Sequence, residues 1–232
     1  MRKNFNLAAY LVIGAENTEK PVAEVVKAAV TAGFTFIQIR EKNSSAREII
    51  STLENCAKVI SDLNKSSSVA LVVNDRLDIA LAAIEREIKV DGVHVGQDDI
   101  PIDVCRKYLG EDKIIGLSAP TENLIDYVKN FDAKDVDYFG IAPIHATQTK
   151  LDAGLTADGK IITQSFKNLS EIAQISPLPI VAGGGVKLSD IPQLAKTKVD
   201  GFFVVSAVAG AENPFDAAAE LVNAWKKFKK VY

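Results

Sequence analysis

The chain has 232 residues and a formal net charge of −3 at pH 7, a length that one large α/β domain accommodates. Its composition of 47% hydrophobic and 25% charged residues is that of an ordinary globular protein, so the core needs no disulfide or structural metal. The slightly acidic balance argues against a nucleic-acid-binding surface, which needs a basic patch.

Short apolar runs alternate with longer amphipathic stretches along the whole chain. The pattern predicts eight strand–helix units, at residues 8–13 and 21–31, 35–39 and 45–63, 69–73 and 78–87, 92–95 and 102–108, 114–117 and 122–131, 138–141 and 166–174, 180–182 and 189–195, and 202–205 and 214–229. The predicted helix N-caps are Ser44, Thr121, Ser189 and Asn213. The connection at residues 146–163 is longer than an ordinary turn between strand and helix, which indicates an active-site loop.

The order of these elements predicts the fold class. Eight β-then-α units without a break in composition indicate an α/β protein, a (β/α)8 TIM barrel formed as a single domain by residues 1–232. A doubly wound open sheet is the alternative. The count of eight and the shortness of the strands favour the closed barrel.

The two cysteines and the start of the chain bear on location. Cys56 and Cys105 are far apart and lack a His or Cys at metal-ligand spacing, so we expect buried or half-buried thiols and a reducing, cytoplasmic setting. The first residues do not form a signal peptide, and the apolar run at 7–13 is too short to cross a bilayer. We expect no membrane partner and no nucleic-acid partner, while a homo-oligomer stays possible.

Polar or glycine residues follow seven of the eight predicted strands. Reactive residues of such barrels lie just past the C-terminal ends of the strands, so these residues should share one rim. They are residues 38–42, 74–76, 96–99, 118, 147–150, 183–185 and 206.

The second predicted strand carries a basic pair. If Ile37 and Ile39 pack against helices, alternation directs Gln38 and Arg40 into the barrel mouth. The Arg40 guanidinium and the Lys42 ammonium then form a clamp for a polyanion. The alternative is a surface pair bridged to a neighbouring acid.

Two acids follow the next two strands. Neighbouring strands would bring the carboxylates of Asp75 and of Asp98 or Asp99 to the same rim. Two carboxylates with substrate phosphate oxygens and water are how proteins usually hold Mg²⁺. The alternatives are an Asn-Asp turn or helix cap at Asp75, and a cap before Pro101 for the other two.

The glycine run at residues 183–185 ends a strand and opens a helix. Glycines there let backbone N–H groups approach a phosphate, and the loops after strands seven and eight form the phosphate site of many barrels. Ser206 lies where it could complete that site. A basic, metal-linked site for a pyrophosphate and a backbone site for a monophosphate together indicate transfer between two phosphorylated molecules, with pyrophosphate leaving.

These motifs together resemble those of the thiamine-phosphate synthases, also called thiamine-phosphate pyrophosphorylases. The resemblance covers nearly the whole chain in order, at residues 38–42 (Gln-Ile-Arg-Glu-Lys), 73–78, 91–99, 116–118, 137–140, 147–150 (Thr-Gln-Thr-Lys) and 204–207. It implies condensation of hydroxymethylpyrimidine pyrophosphate with a thiazole phosphate or its carboxylate. The products are thiamine phosphate and pyrophosphate, Mg²⁺ is the cofactor, and the mechanism is dissociative.

The resemblance also implies a role for each matching residue. Asp75 and Asp99 correspond to the magnesium ligands, and this correspondence is the reason for choosing Asp99 over Asp98. The pyrimidine-pyrophosphate contacts are Gln38, Ile39, Arg40, Glu41, Lys42, Asn74, Ser118 and Lys150, of which Arg40, Lys42, Ser118 and Lys150 are the expected catalytic residues. The thiazole-phosphate contacts are Thr147, Gln148, Thr149, Gly185, Val205 and Ser206. His94 faces inward by alternation, and it either contacts the pyrimidine or fills the mouth.

Departures from the family pattern lie at residues 142–146 (Ala-Pro-Ile-His-Ala), where an aromatic residue and a second proline are frequent, and at the third glycine, Gly183. They leave open which thiazole species is preferred and what His145 does. Three rival functions remain: a related barrel without synthase activity, such as a thiazole tautomerase, a non-catalytic phosphate- or thiamine-binding regulator, and a phosphosugar isomerase. The retained charged residues disfavour the first, and the lack of a free carboxylate base at the rim disfavours the last.

Overall fold

Eight parallel strands close into a barrel in chain order in the computed structural model, which describes residues 4–146, 154–156 and 159–229. The strands are β1 (Ala9–Ile13), β2 (Phe36–Ile39), β3 (Ala70–Asn74), β4 (Gly92–Val95), β5 (Ile114–Ser118), β6 (Tyr138–Ile141), β7 (Ile180–Gly183) and β8 (Gly201–Val204). The last strand pairs with the first, with Tyr10 opposite Phe203. The predicted barrel is therefore confirmed, and the open sheet is excluded.

Helices follow the strands around the outside of the barrel. They are α1 (Val22–Ala32), α2 (Ala46–Asp62), α3 (Leu77–Glu85), α4 (Ile102–Leu109), α5 (Leu124–Asn130), α6 (Phe166–Ile175), α7 (Ile191–Lys196), α8 (Ser206–Ala209) and α9 (Pro214–Lys229). The eight predicted helices are present, with ends within two residues of the predicted ones. The short helix α8 was not predicted, because four residues are too few to show helical periodicity.

Three of the four predicted N-caps are wrong. The Ser44 hydroxyl donates to Glu41, and Ser45 caps α2 instead in a reciprocal capping box with Glu48. The residues before α5 and α7 are Asn123 and Asp190 rather than Thr121 and Ser189, because a left-handed residue and a 3-10 turn respectively intervene. Asn213 is correct, since its Oδ1 accepts hydrogen bonds from the backbone N–H groups of Phe215 and Asp216 at 3.1 and 3.4 Å.

Two apolar cores follow from the strand alternation. Ile37 and Ile39 lie in the layer between barrel and helices, while Phe36 points into the barrel. Aromatic rings contact one another inside the barrel, with the rings of Tyr10 and Phe36 at 4.4 Å and those of Phe36 and Tyr138 at 5.4 Å between centroids. The inward direction predicted for even-numbered residues of β2 is therefore confirmed.

Acidic side chains fix the N-terminal end of the barrel. An aspartate precedes β4, β6 and β8, and in each case its Oδ2 accepts a hydrogen bond from a backbone N–H at the start of the preceding strand, at 2.7–2.8 Å. These residues are Asp91, Asp137 and Asp200. Asp137 also pairs with the buried Arg106 at 2.7 Å. This network holds the strand register at the end opposite the polar rim.

The cysteines are buried as expected, Cys56 in α2 and Cys105 in α4. Among the described residues, no helix is both long enough and apolar enough to cross a membrane.

Candidate active site

The basic pair after β2 lies at the C-terminal rim of the barrel. Gln38 is buried inside the mouth and its Nε2 donates to the Tyr10 hydroxyl at 2.5 Å. Arg40 is mostly buried and its Nη1 lies 3.2 Å from Glu16 Oε1. Glu16 belongs to the 3-10 turn after β1, the one strand end where the sequence indicated nothing, and the separation of 24 residues hides this ion pair from local patterns.

Lys42 reaches across to the next strand end. Its Nζ lies 2.5 Å from Asp75 Oδ2, and the Asn74 amide donates to the same oxygen at 2.6 Å. The structure therefore shows the alternative interpretation, in which each cation of the pair contacts a neighbouring acid. Binding of a polyanion by the same two cations stays a prediction.

The two predicted metal ligands, Asp75 and Asp99, affect each other's ionisation, and Lys42 acts on both. Burial, followed by contact with Asp75, raises the pKa of Asp99. Burial opposes ionisation of Asp75, but the interactions with Lys42 and Asp99 outweigh it and lower the pKa of Asp75. Asp75 and Asp99 could therefore hold a cation together.

Local backbone geometry positions both acids. Asp75 has a left-handed φ of 59°, which Asp and Asn tolerate better than other side chains with a Cβ, and its N–H donates to the His94 carbonyl at 2.8 Å. Asp99 Oδ2 accepts a hydrogen bond from Gly96 N–H at 2.7 Å. Asp98 is exposed. Asp99, the residue chosen from the family resemblance, is thus the acid whose ionisation is affected by Asp75.

Inside the barrel, His94 contacts Tyr138, the first residue of β6, and Ser118, a predicted rim residue at the end of β5. Its Nδ1 lies 2.9 Å from the Tyr138 hydroxyl and its Nε2 lies 2.9 Å from Ser118 Oγ. The Ser118 carbonyl accepts a hydrogen bond from Gln97 Nε2 at 2.7 Å. Ser118 is thereby fixed at both its backbone and its side chain.

Two expected substrate contacts have other positions. The Ile39 side chain is buried in the outer core, so only its backbone faces the rim, because odd-numbered residues of β2 point outward. Both carboxylate oxygens of Glu41 accept from protein donors, Oε1 from Ala15 N–H at 3.1 Å and Oε2 from the Ser44 hydroxyl at 2.9 Å. Glu41 therefore ties the loops after β1 and β2 together.

The glycine run after β7 has a packing role that the sequence did not show. A Cβ at Gly184 would lie 2.8 Å from Pro143 Cα, and one at Gly185 would lie 2.9 Å from His145 Cβ. Both glycines also have left-handed φ values, 81° and 72°. The loop after β6 thus lies directly on the glycine loop, and this close approach requires glycine whether or not a phosphate binds.

His145 is positioned beside that loop. Its Nε2 lies 3.0 Å from Asp190 Oδ2, which also accepts from Lys187 N–H at 2.8 Å. Across the same side of the mouth, Val205 packs against the barrel interior and precedes α8, whose first residue, Ser206, is exposed. The loops after β6 and β7 therefore contact each other, and the loop after β8 follows the neighbouring strand.

Four expected contacts, Thr147, Gln148, Thr149 and Lys150, lie outside the described residues. Farther along the same connection, Leu155 and Ile161 form an antiparallel bridge, and Ile162 N–H donates to the Gly154 carbonyl at 2.8 Å. A Cβ at Gly154 would lie 2.9 Å from the Pro143 ring. This small hairpin therefore packs against the loop after β6.

Comparison with known proteins identifies the family of this chain. The family described as thiamine monophosphate synthase matches residues 9–208. The chain belongs to this family. It is an enzyme of thiamine biosynthesis, a transferase of a pyrimidinylmethyl group.

Similar proteins cover almost the whole chain. The thiamine-phosphate synthase of Hydrogenobaculum sp. (strain Y04AAS1) is 36% identical over 98% of this chain and 97% of its own length. That of Vibrio parahaemolyticus is 36% identical over 92% of this chain and 96% of its own length. The solved thiamine phosphate pyrophosphorylase of Pyrococcus furiosus superposes with a TM-score of 0.75 at 29% identity, over 96% of each chain.

Proposed function

We propose that this synthase joins hydroxymethylpyrimidine pyrophosphate to a thiazole phosphate, or to its carboxylate, and releases pyrophosphate in a Mg²⁺-dependent reaction. The observation that carries the proposal is the cluster at the ends of β2, β3 and β4, where Lys42 contacts Asp75 and acts on Asp99. Arg40 lies two residues before Lys42 at the same end of β2. A pyrophosphate needs both cationic side chains and a metal bridge, and this rim supplies the donors for both.

The donor set fits a hard cation. Asp75 and Asp99 present carboxylate oxygens at one point, and Mg²⁺ prefers one or two carboxylates with waters and phosphate oxygens in the other positions. Within the described residues no group of three or more His, Cys, Asp or Glu could hold a metal by itself. When bound, the ion would neutralise charge on the departing diphosphate.

The chain's own residues account for the bond-breaking step. The C–O bond between the pyrimidinyl methylene and the diphosphate breaks, and its electron pair leaves with pyrophosphate. Arg40 and Lys42 would stabilise that negative charge, because substrate oxygens can replace the carboxylates of Glu16 and Asp75 as partners of these cations. Ser118 lies at the end of β5 next to His94 and would act as a hydroxyl donor.

The second half of the reaction needs no general base. The thiazole ring nitrogen carries its lone pair already, and it forms the new C–N bond with the pyrimidinyl methylene cation. The loops after β7 and β8, with Gly185, Val205 and Ser206, would hold the thiazole phosphate across the mouth. Residues 147–150 are proposed to reach both substrates from the loop after β6, as in the matching family motif.

Product analysis tests the proposal. We expect purified protein, both phosphorylated substrates and Mg²⁺ to yield thiamine phosphate and pyrophosphate in equal amounts, and a chelator to stop the reaction until Mg²⁺ is restored. Binding of either substrate without pyrophosphate release would instead support the regulator. Conversion of a thiazole tautomer without the pyrimidine substrate would support the tautomerase.

A further inference from the structure

Five polar side chains form a continuous series of hydrogen bonds through the barrel interior, here called the interior chain. Gln38 Nε2 lies 2.5 Å from the Tyr10 hydroxyl, which lies 2.9 Å from the Tyr138 hydroxyl. Tyr138 then contacts His94 Nδ1 at 2.9 Å, and His94 Nε2 contacts Ser118 Oγ at 2.9 Å. The series joins β1, β2, β4, β5 and β6 and ends at a proposed catalytic hydroxyl.

The interior chain has an orientation because each tyrosine carries a single hydroxyl proton. Burial raises the pKa of Tyr10 and of Tyr138, so both hydroxyls keep their protons. Gln38 Nε2 donates to the Tyr10 hydroxyl. If the Tyr10 proton is then directed to the Tyr138 oxygen, the Tyr138 proton is directed to His94 Nδ1. The imidazole must then carry its own proton on Nε2 and donate it to Ser118.

Two strand glycines make room for the centre of the interior chain. A Cβ at Gly116 would lie 2.4 Å from the Tyr138 hydroxyl oxygen and 2.5 Å from His94 Nδ1. A Cβ at Gly140 would lie 2.9 Å from His94 Cε1. Glycine inside a strand has no side chain to pack. Here the space that a side chain at Gly116 would fill is occupied by Tyr138 and His94, and the space at Gly140 is occupied by His94.

We infer that Tyr10 and Tyr138 are positioning residues that hold His94 as its Nε2–H tautomer, so that Ser118 accepts from His94 and keeps its own hydroxyl proton for the substrate. The inference rests on the proposed function only for the identity of the substrate, the pyrimidine pyrophosphate. Its acceptor for the Ser118 proton would be a diphosphate oxygen or a ring nitrogen. In the opposite tautomer, with the His94 proton on Nδ1, the Ser118 hydroxyl would donate its hydrogen bond to His94 Nε2. Only the lone pairs of Ser118 would then face the substrate, and these repel a departing diphosphate.

The tautomer can be measured without substrates. Because the chain has two histidines, a His145→Gln variant leaves one imidazole, and ¹⁵N NMR at about pH 8, above the ordinary histidine pKa, shows which ring nitrogen is protonated. We expect a protonated Nε2 and an unprotonated Nδ1 for His94. A protonated Nδ1, or an imidazolium, would overturn the inference, even in a preparation that makes no thiamine phosphate.

Removing one hydroxyl tests the consequence for catalysis. In Tyr138→Phe we expect a mixed His94 tautomer and a kcat lowered about tenfold, less than the 10²–10³-fold typical for deleting a transition-state donor because Ser118 remains. KM for both substrates should change less than about twofold, because the substrate contacts are intact. An unchanged kcat would refute the positioning role.

Two further variants keep this test interpretable. Tyr108 is an exposed tyrosine on α4, and Tyr108→Phe makes the same chemical change outside the interior chain. This variant should match the wild type in His94 tautomer and in kcat. A tenfold loss of kcat in Tyr108→Phe would count against the inference. If Tyr138→Phe is not folded by its thermal melt, Tyr10→Phe, which removes the first hydroxyl only, should still shift the His94 tautomer. A tautomer unchanged in Tyr10→Phe would contradict the proposed orientation.

Discussion

Asp75→Asn separates the chemistry at the rim from the stability of the fold. Asn has nearly the same volume and tolerates the left-handed φ of 59° at this position, whereas Ala would add about 1–2 kcal/mol of backbone strain. The lost ion pair joins Asp75 to a Lys42 side chain that is 46% exposed. Such pairs contribute at most about 1 kcal/mol, so Tm should fall by less than about 4 °C.

The effect of Asp75→Asn on turnover should be far larger. The substitution removes one of two proposed metal ligands and the partner that orients Lys42, and we expect kcat/KM to fall about 10²–10³-fold, which corresponds to about 3–4 kcal/mol. Initial rates of pyrophosphate release across a Mg²⁺ titration measure this, and half-maximal activity should need more Mg²⁺. Asp98→Asn is the matched control, because Asp98 is exposed one residue away from Asp99, and it should retain wild-type activity.

The reasoning would be refuted if Asp75→Asn kept a rate within about threefold of wild type, a difference under about 0.7 kcal/mol. An equal loss in the control variant would also refute it. A fall in Tm by much more than 4 °C would instead show that the acid pair stabilises the fold.

Three further predictions concern other parts of the molecule. In Glu16→Gln, Arg40 loses a partly exposed charge partner, so KM for the pyrimidine pyrophosphate should rise less than about fivefold at unchanged kcat; a large kcat loss would contradict this. Asp137→Asn leaves the buried Arg106 without its anionic partner and should lower the free energy of unfolding by about 3–5 kcal/mol, measured by calorimetry. A fall in Tm of less than about 3 °C would contradict this prediction. Burial raises the pKa of Cys56 to about 12 and of Cys105 to about 11, against 9.0 ordinarily. The unfolded chain therefore releases these thiol protons at lower pH than the folded chain, and the free energy of unfolding should fall as pH rises above about 9. Fast reaction of both native thiols with a thiol reagent near neutral pH would contradict this prediction.

The barrel and its rim could be predicted because both depend on local order. Alternation along β2 places Gln38 inward, and parallel strands bring Asp75 and Asp99 to the same end of the sheet. These inferences need only the sequence of each strand and the neighbour that follows it.

The remaining features depend on contacts between distant residues. Glu16 pairs with Arg40 across 24 residues, and the sequence around Glu16 has no distinguishing motif. Gly116 and Gly140 show as ordinary strand glycines until the Tyr138 and His94 side chains are placed beside them. The interior chain joins five strands, so no single segment of sequence contains its signal.

Binding of pyrophosphate itself tests most directly whether these acids and cations form one diphosphate site. Calorimetric titration of pyrophosphate into the protein, with and without Mg²⁺, should show affinity at least about tenfold higher with the ion, or about 1.4 kcal/mol. Asp75→Asn and Asp99→Asn should each remove that difference. Pyrophosphate affinity that is indifferent to Mg²⁺ and to both substitutions would contradict the assignment of this rim as the site where the diphosphate leaves.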